Sequence, residues 1–304
     1  MRYALLFLTI GLIPVSGLAQ PQSEPPQEVQ PYWMYEDLGG IQLNHTLFGN
    51  ELNVGHVWPL FPKTKRPLLQ QTHIKAGILN TLSPVVQKLG AYFEVHPLRI
   101  VKWRVSVVGV GIIPLVGSVD STDNPLIDFN AAARTEADRA GNIYASYGLQ
   151  ATNTLIFQIG YKSIAARNTT LWRYHWMNLR DGDSYFYLAQ VDLMGENGAF
   201  VQQNHTDLVW LGKGLMLGLR WSHVDVLYNT QVNRPEGYGN SESLGPVIGI
   251  DLPQKWTGKK NMQFVIQSQW WLHHPNKMGQ DAPQWFPALA FAIMTTRKYD
   301  ESGK

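Results

Sequence analysis

The sequence has 304 residues, a formal net charge of +2 and no cysteine; only 16% of its residues are charged, although it contains 11 Trp, 13 Tyr and 11 Phe. A charge this close to neutral indicates neither a nucleic-acid partner nor a strongly charged substrate. The lack of cysteine excludes disulfides and cysteine-based metal sites. Beyond the N-terminus no apolar run reaches the ~18 residues of a transmembrane helix. Abundant aromatic residues without such runs are typical of a membrane barrel, in which each strand has a lipid-facing side and a polar side.

The N-terminus has the features of a secretory signal peptide. Met1–Tyr3 form a short basic region, residues 4–15 are mostly apolar, and small residues lead up to a cleavage position after Ala19. A short N-terminal membrane anchor is the alternative, although the apolar run is short for a membrane span. The sequence that follows is rich in Pro and Gln and cannot bury much surface. Three segments are therefore predicted: a signal peptide over 1–19, a disordered leader over 20–39 and one barrel domain over 40–304.

Apolar and polar side chains alternate along much of the remaining chain. Between residues 262 and 273, for example, Phe264 and Ile266 share one face, and Gln263 and Gln267 share the other. A helix would repeat its apolar residues at steps of three and four, so a period of two indicates strands. Further segments with this pattern are 141–152, 155–162, 243–252 and 287–296. A soluble β-sandwich or propeller also alternates and remains an alternative at this stage.

The alternation and the spacing of turns predict an all-β fold, a transmembrane antiparallel up-and-down β-barrel of about 12–14 strands. A fourteen-strand assignment places both termini and the short connections, near Pro97, Asn153, Arg180 and Gly212, on the periplasmic side. If the first predicted strand pair is absent, the number falls to about twelve. The predicted strands are 40–48, 51–60, 70–80, 87–95, 100–112, 140–152, 154–164, 170–178, 184–194, 199–210, 214–227, 242–252, 262–273 and 286–297. The predicted outer loops are 113–139, 228–241 and 274–285.

Aromatic residues near strand ends are typical of interfacial girdles. These residues are Trp58, Tyr185, Tyr187, Trp210, Trp270 and Trp285. With them, the chain resembles the Gram-negative outer-membrane β-barrel class over about residues 40–297. The resemblance implies location in the bacterial outer membrane, contact with its lipid and assembly by the barrel-assembly machinery. One feature departs from the class, because a polar tail follows Tyr299 where such chains often end in an aromatic residue.

If the apolar faces meet lipid, the opposite faces line the lumen. The charged residues predicted there are Lys75, Glu94, Lys102, Arg104, Lys162, Asp192, Arg220 and Asp251. Two interpretations are open for a barrel of this size. The charges can line a passage that mildly prefers anions, or they can pair across a plugged interior. An open passage requires a continuous wet lumen past Arg104 and Arg220, whereas a closed barrel requires those charges to be paired.

The sequence gives little indication of catalysis, metal binding or nucleotide binding. Thr206 follows His205 directly and therefore lies on the opposite face, and the pair His223 and Asp225 has no accompanying nucleophile, so a hydrolase is the least favoured function. Neither His273-His274 nor the loop containing Asp120 has the spacing of a metal site. No nucleotide-binding motif or nucleic-acid surface is present, and no cofactor is predicted.

The strand at 199–210 breaks the alternation. Gln202, Asn204 and Thr206 share the face of Phe200 and Trp210, although polar groups are costly in hydrocarbon. Either this part projects above the membrane, which is the commoner explanation, or it meets another chain.

The sequence is therefore compatible with three functions. The first is a passive channel for small polar solutes. The second is a closed structural or adhesive surface barrel that acts through its outer loops. The third is an outer-membrane hydrolase. The solute or surface partner is not indicated by the sequence, and architecture alone does not choose among these functions.

Overall fold

A computed structural model describes residues 30–43, 47–84, 86–112, 119–124, 143–188, 190–229, 239–257, 262–275 and 287–299. The predicted signal peptide and the first part of the leader lie outside these residues. Twelve antiparallel strands close into a barrel, which confirms the predicted fold class. Four shorter strands form a second sheet. Within the described residues, no helix is long and apolar enough to cross a membrane.

The barrel strands follow the chain in order, apart from the four strands of the second sheet. They are β1 Tyr32–Leu43, β2 Leu47–Pro59, β3 His73–Leu82, β4 Val86–Leu98, β5 Val101–Ile112, β8 Ser146–Tyr161, β9 Ile164–Met177, β12 Phe200–Leu211, β13 Leu215–Leu227, β14 Asn240–Asp251, β15 Met262–His273 and β16 Ala288–Tyr299. The second sheet contains β6 Val119–Thr122, β7 Ile143–Tyr144, β10 Tyr185–Leu188 and β11 Leu193–Glu196. Short helical turns occur at Pro67–Leu69 and Gln254–Thr257.

The two ends of the barrel differ in their connections. β1 starts and β16 finishes at one end, where the tight turns 99–100, 162–163 and 212–214 also lie. The connections between β5 and β8, β9 and β12, β13 and β14, and β15 and β16 all lie at the opposite end. Outer-membrane barrels have short periplasmic turns and longer extracellular loops, so the end with the termini is the periplasmic one. The three longest predicted loops fall at the extracellular end, although most of their residues lie outside the described part.

Alternation along each strand separates an apolar exterior from a packed interior. On β8, Tyr147, Leu149, Phe157 and Ile159 are exposed, whereas Gln150 on the opposite face is buried. Exposed aromatic residues gather toward both ends of the exterior, as interfacial girdles do. Toward the periplasm these are Trp33, Trp58, Trp103, Tyr161 and Trp210, and toward the outside they are Tyr147, Trp176, Phe200 and Trp270. An exterior that is apolar between two girdles of aromatic residues is the surface of a membrane-spanning barrel.

Three details of the predicted topology were wrong. β8 runs without a break through Asn153, and the true turn follows at 162–163, where Lys162 adopts φ 53°. Arg180 does not lie in a periplasmic turn, because β9 ends at the extracellular side just before it. The predicted strand 184–194 is not part of the wall but forms β10 and β11 of the second sheet. Every residue of β10 and β11 is buried, so the segment has the apolar composition of a strand without lying in the wall.

The barrel closes by pairing its first and last strands. β1 begins at Tyr32, inside the range predicted as leader, and pairs with both β2 and β16. β16 ends at Tyr299, whose register partner is Trp33. The last strand of the wall therefore ends in an aromatic residue, and the polar tail comes after it.

The polar stretch on β12 lies in the middle of the wall, so the expectation that it projects above the membrane was wrong. β12 pairs along its length with β9 and β13. Asn168 Nδ2 donates to Asn204 Oδ1 at 2.8 Å and to Thr206 Oγ1 at 3.0 Å, and Asn204 Nδ2 donates to Thr170 Oγ1 at 3.0 Å. These side chains satisfy one another's polar groups, which lowers the cost of placing them toward lipid.

Candidate functional site in the barrel interior

A segment of the extracellular connection between β9 and β12 folds back into the barrel. We call β10, β11 and the turn between them the plug. Phe186, Leu188, Val191 and Leu193 of the plug belong to one apolar cluster with inward-facing residues of the wall, and Leu193 is fully buried. The wall residues of this cluster are Leu79, Val86, Tyr92, Val108, Val110, Met177, Val201, Val224 and Val226. The plug therefore packs apolar side chains against the inner wall in the extracellular half of the lumen.

Polar contacts also hold the plug against the wall. Arg173 Nη1, from β9, donates to Gln190 Oε1 at 2.8 Å. The hydroxyl of Tyr187 donates to a carboxylate oxygen of Asp192, and His274 Nε2 lies 3.5 Å from the other oxygen of that carboxylate. Tyr228 Oη donates to the Met194 carbonyl at 2.7 Å. These contacts tie the plug to β9 and to residues just after β13 and β15.

The periplasmic half of the lumen contains two groups of paired charges. The first, which we call the Glu94 cluster, lies on β1 to β5. Lys75 Nζ lies 2.8 Å from Glu36 Oε2 and 3.7 Å from Glu94 Oε1, and Lys102 Nζ lies 2.7 Å from Glu94 Oε2. Lys75 and Glu94 are each 1% exposed, so water does not screen their pairing. Two lysines and two glutamates therefore neutralise one another on the lumen side of the wall.

The second group, the Asp207 cluster, lies on β9, β12, β13 and β15. Arg167 Nη2 lies 2.6 Å from Asp207 Oδ2, and Arg220 Nε lies 2.6 Å from Asp207 Oδ1. Arg220 Nη1 also donates to Gln267 Oε1 at 3.0 Å. One buried carboxylate thus holds two buried guanidinium groups, which are rigid and suited to forked contacts of this kind.

Five of the residues predicted to line the lumen lie on the inner face of the wall: Lys75, Glu94, Lys102, Arg104 and Arg220. Arg104 Nη2 donates to Asn53 Oδ1 at 2.7 Å, and its guanidinium lies 4.1 Å from the centre of the Tyr92 ring. Arg220 is paired in the Asp207 cluster. Arg220 is therefore paired with a carboxylate, as the closed interpretation requires, whereas Arg104 contacts a neutral amide and an aromatic ring.

The other three predicted lumen residues lie elsewhere. Lys162 is exposed in the turn after β8, with its ammonium near the outward-facing Tyr161 ring. Asp192 belongs to the turn of the plug, with φ 60°. Asp251 is the exposed last residue of β14. Alternation was extended past the end of β8 for Lys162 and into a segment outside the wall for Asp192, whereas Asp251 keeps the inward parity of β14 but lies exposed at its periplasmic end.

Several inward-facing charged residues were not predicted. Two of them, Lys88 and Asp207, could have been predicted from the alternation of their strands. Lys88 lies on the same face of its strand as Glu94, and Asp207 lies on the face opposite to Leu208 and Trp210. Arg167 and Arg173 had no such signal, because polar residues occupy both faces of β9. Glu36 lay in the predicted leader. Across the described interior, basic residues slightly outnumber acidic ones: Lys75, Lys88, Lys102, Arg104, Arg167, Arg173 and Arg220 against Glu36, Glu51, Glu94, Asp192, Glu196 and Asp207.

The histidines do not assemble a hydrolytic site in the described residues. His205 Nδ1 lies 2.9 Å from Ser222 Oγ, which also accepts a hydrogen bond from Gln269, but the neighbouring Asp207 is held by two arginines. His223 lies on the exterior between Asp225 and Glu242, without a hydroxyl contact in the described part. No group of three His, Asp or Glu residues suited to a metal ion occurs among the described residues.

A closed, even-stranded barrel with an apolar exterior, aromatic girdles and a polar, charge-bearing interior defines the chain as an outer-membrane β-barrel protein. The predicted location in the bacterial outer membrane, with its lipid around the exterior, agrees with this class. Assembly by the barrel-assembly machinery stays a prediction.

Comparisons with known proteins give weak likenesses only. No protein-family model and no curated protein matches the chain. Among solved structures, CdiB from Acinetobacter baumannii is 8% identical with a TM-score of 0.41, covering 88% of this chain and 60% of CdiB. The NanC porin is 8% identical with a TM-score of 0.38 over 88% of this chain and 99% of NanC. LpxR from Salmonella typhimurium is 8% identical with a TM-score of 0.37, covering 86% of this chain and 99% of LpxR. Likenesses at this level transfer no function.

Proposed function

We propose that the chain is an outer-membrane barrel that is closed to passive flow at rest and acts as a structural or adhesive component of the cell surface. The observation that carries the proposal is the plug. Its fully buried Leu193 packs against apolar residues of the inner wall. An apolar seal of this kind opposes the passage of water and ions through the lumen.

The charges in the periplasmic half support the same proposal. Contacts of 2.6–2.8 Å between buried groups fix the side chains of the Glu94 cluster and of the Asp207 cluster on separate parts of the inner wall, where they narrow the passage. Separating buried partners leaves each charge without compensation, which is costly. The function is then carried by the extracellular end of the barrel.

The experiment is single-channel recording of the full mature chain, refolded and reconstituted in a planar bilayer. We expect no stepwise current from protein whose gel mobility is heat-modifiable, the usual sign of a folded barrel. Leu193→Asp places a charge in the apolar seal and is expected to produce current, whereas Leu193→Met conserves volume and apolarity and should stay silent. Stable current from the unmodified chain, without an applied trigger, would overturn the proposal.

A gated, anion-preferring channel is the second candidate, and the basic excess of the interior favours it. Under this alternative the plug is a gate, and anions enter when it leaves the lumen. The same recordings separate the two candidates. A gated channel should open in the unmodified chain at raised voltage or with an added solute, and it should pass anions over cations. A closed surface barrel should conduct only after Leu193→Asp.

A further inference from the structure

We propose that Lys88 and Arg173 form a binding site for a small oxyanion, a carboxylate or phosphate group, between the barrel wall and the plug. The site is distinct from the two paired clusters of the periplasmic half. It also does not depend on whether the barrel conducts, so it goes beyond the proposed function.

The first observation is that Lys88 is buried without an acidic partner. Its side chain faces the lumen from β4, and the residue is 6% exposed. Its Nζ donates to the neutral amide oxygen of Gln150 at 2.8 Å. No carboxylate lies within ion-pair distance of Lys88 in the described part of the chain. A buried ammonium group is costly unless a charge compensates it, and a neutral amide does not supply one.

The second observation is the charge around Lys88. Arg173, 2% exposed, faces the same region from β9, and its charge and that of Lys88 repel each other. Glu51 is the carboxylate whose charge reaches both groups. Glu51 therefore attracts both basic groups, while the two basic groups repel each other. In the Glu94 cluster, by contrast, lysines and glutamates are equal in number and in direct contact.

The third observation is the supply of donors suited to an oxyanion. Arg173 offers a planar fork that matches a carboxylate or phosphate, and Lys88 offers a compact charge. Gln150, which holds Lys88, also donates from Nε2 to Thr152 Oγ1, and Gln190 of the plug holds Arg173. Side chains of the wall and of the plug thus hold the two basic groups from opposite sides. An anion bound there would contact both and would hold the plug in place.

The test measures unfolding and binding with inorganic phosphate as the probe. The full mature chain is refolded in detergent, and its unfolding temperature is followed by heat-modifiable gel mobility. Phosphate is compared with chloride at equal ionic strength, because a general salt effect would be the same for both. We expect phosphate to raise the unfolding temperature specifically, since a ligand that binds only the folded state stabilises it. Calorimetric titration then gives the dissociation constant.

Three variants locate the site. Lys88→Met should weaken phosphate binding by about tenfold or more, the effect of losing one charge-assisted hydrogen bond. Lys65→Met removes the same charge from an exposed periplasmic connection and should leave binding unchanged. Gln150→Glu gives Lys88 a carboxylate of its own. It should stabilise the chain without phosphate and abolish the phosphate effect.

The outcomes decide the proposal in either direction. Should phosphate bind the unmodified chain no better than chloride does, or bind Lys88→Met equally well, the site does not exist. If Lys88→Met fails to fold, Gln150→Glu still decides, because a neutral buried Lys88 would give no stabilisation from the new carboxylate. The conductance of the unmodified chain has no part in this test, so it separates the site from the proposed closure.

Discussion

The two halves of the barrel interior are held by different interactions. In the extracellular half, the plug packs apolar side chains such as Leu193 against apolar wall residues. In the periplasmic half, buried charges pair across neighbouring strands, as Asp207 does with Arg167 and Arg220. Apolar packing is not directional and depends on the volume that is filled, whereas a buried ion pair depends on each partner being present.

This difference separates what each half can do. The plug belongs to an extracellular connection, so it can leave the lumen without breaking the hydrogen bonds between wall strands. The ion pairs are built on the wall strands themselves, and they stay in place as long as the barrel is folded. Opening of the lumen is therefore expected to begin at the extracellular half, and the global stability of the barrel is expected to depend more on the periplasmic half.

The largest expected effect is that of Asp207→Asn. The substitution leaves two buried guanidinium groups without their shared charge and should lower the free energy of unfolding by about 3–5 kcal/mol. Denaturant titration followed by tryptophan fluorescence and gel mobility measures this. Asp251→Asn, at an exposed strand end, is the control and should change stability by about 0.5 kcal/mol or less. Equal effects of the two variants would remove the distinction between the two halves.

Leu193→Ala should cost about 2–4 kcal/mol, because it leaves a cavity in the apolar seal. The loss is expected to be local, so limited proteolysis should cut the plug faster while the barrel keeps its heat-modifiable mobility. Leu208→Ala, on the lipid-facing surface, should leave the rate of plug cleavage unchanged. Global unfolding of Leu193→Ala at the same denaturant concentration as Asp207→Asn would show that the plug is part of one cooperative unit with the wall.

Glu36→Gln should have a smaller effect than Asp207→Asn, about 1.5–3 kcal/mol, the range for a hydrogen bond to a charged group. Glu94 Oε1 lies 3.7 Å from Lys75 Nζ and is not changed by the substitution, so the charge of Lys75 is still compensated. The same denaturant titration measures the loss. An effect as large as that of Asp207→Asn would mean that Glu94 does not compensate Lys75.

The smallest expected effect is on the exterior. Asn168→Leu and Asn204→Leu, alone and together, form a double-mutant cycle for the lipid-facing hydrogen bonds. The coupling energy should be about 0.6 kcal/mol, as for other hydrogen bonds between side chains in a membrane. A coupling energy near zero would mean that the polar stretch on β12 needs another partner, such as a second chain.

Much of the barrel wall was predictable from single strands. Segments such as 262–273 alternate cleanly because one face meets lipid and the other meets a packed interior, and β15 occupies Met262–His273. β8 was predicted as two strands, because the alternation gives no sign of where a long strand ends. The alternation alone predicted that Lys75, Glu94 and Lys102 face the lumen. It did not predict which residues they contact, because Lys75 Nζ contacts Glu36 on a strand that is not its neighbour in the sheet.

The sequence by itself determined the class of the protein, because period-two alternation, scarce charges and abundant aromatic residues are local properties of a wall between lipid and a polar interior. Tertiary structure alone decided whether that interior is open. The segment around Tyr187 is rich in aromatic and apolar residues and was predicted as a wall strand, yet it folds into the lumen because its apolar side chains pack against wall residues far away in the chain. Closure depends on contacts between distant residues, and alternation reports only that a strand has two different faces.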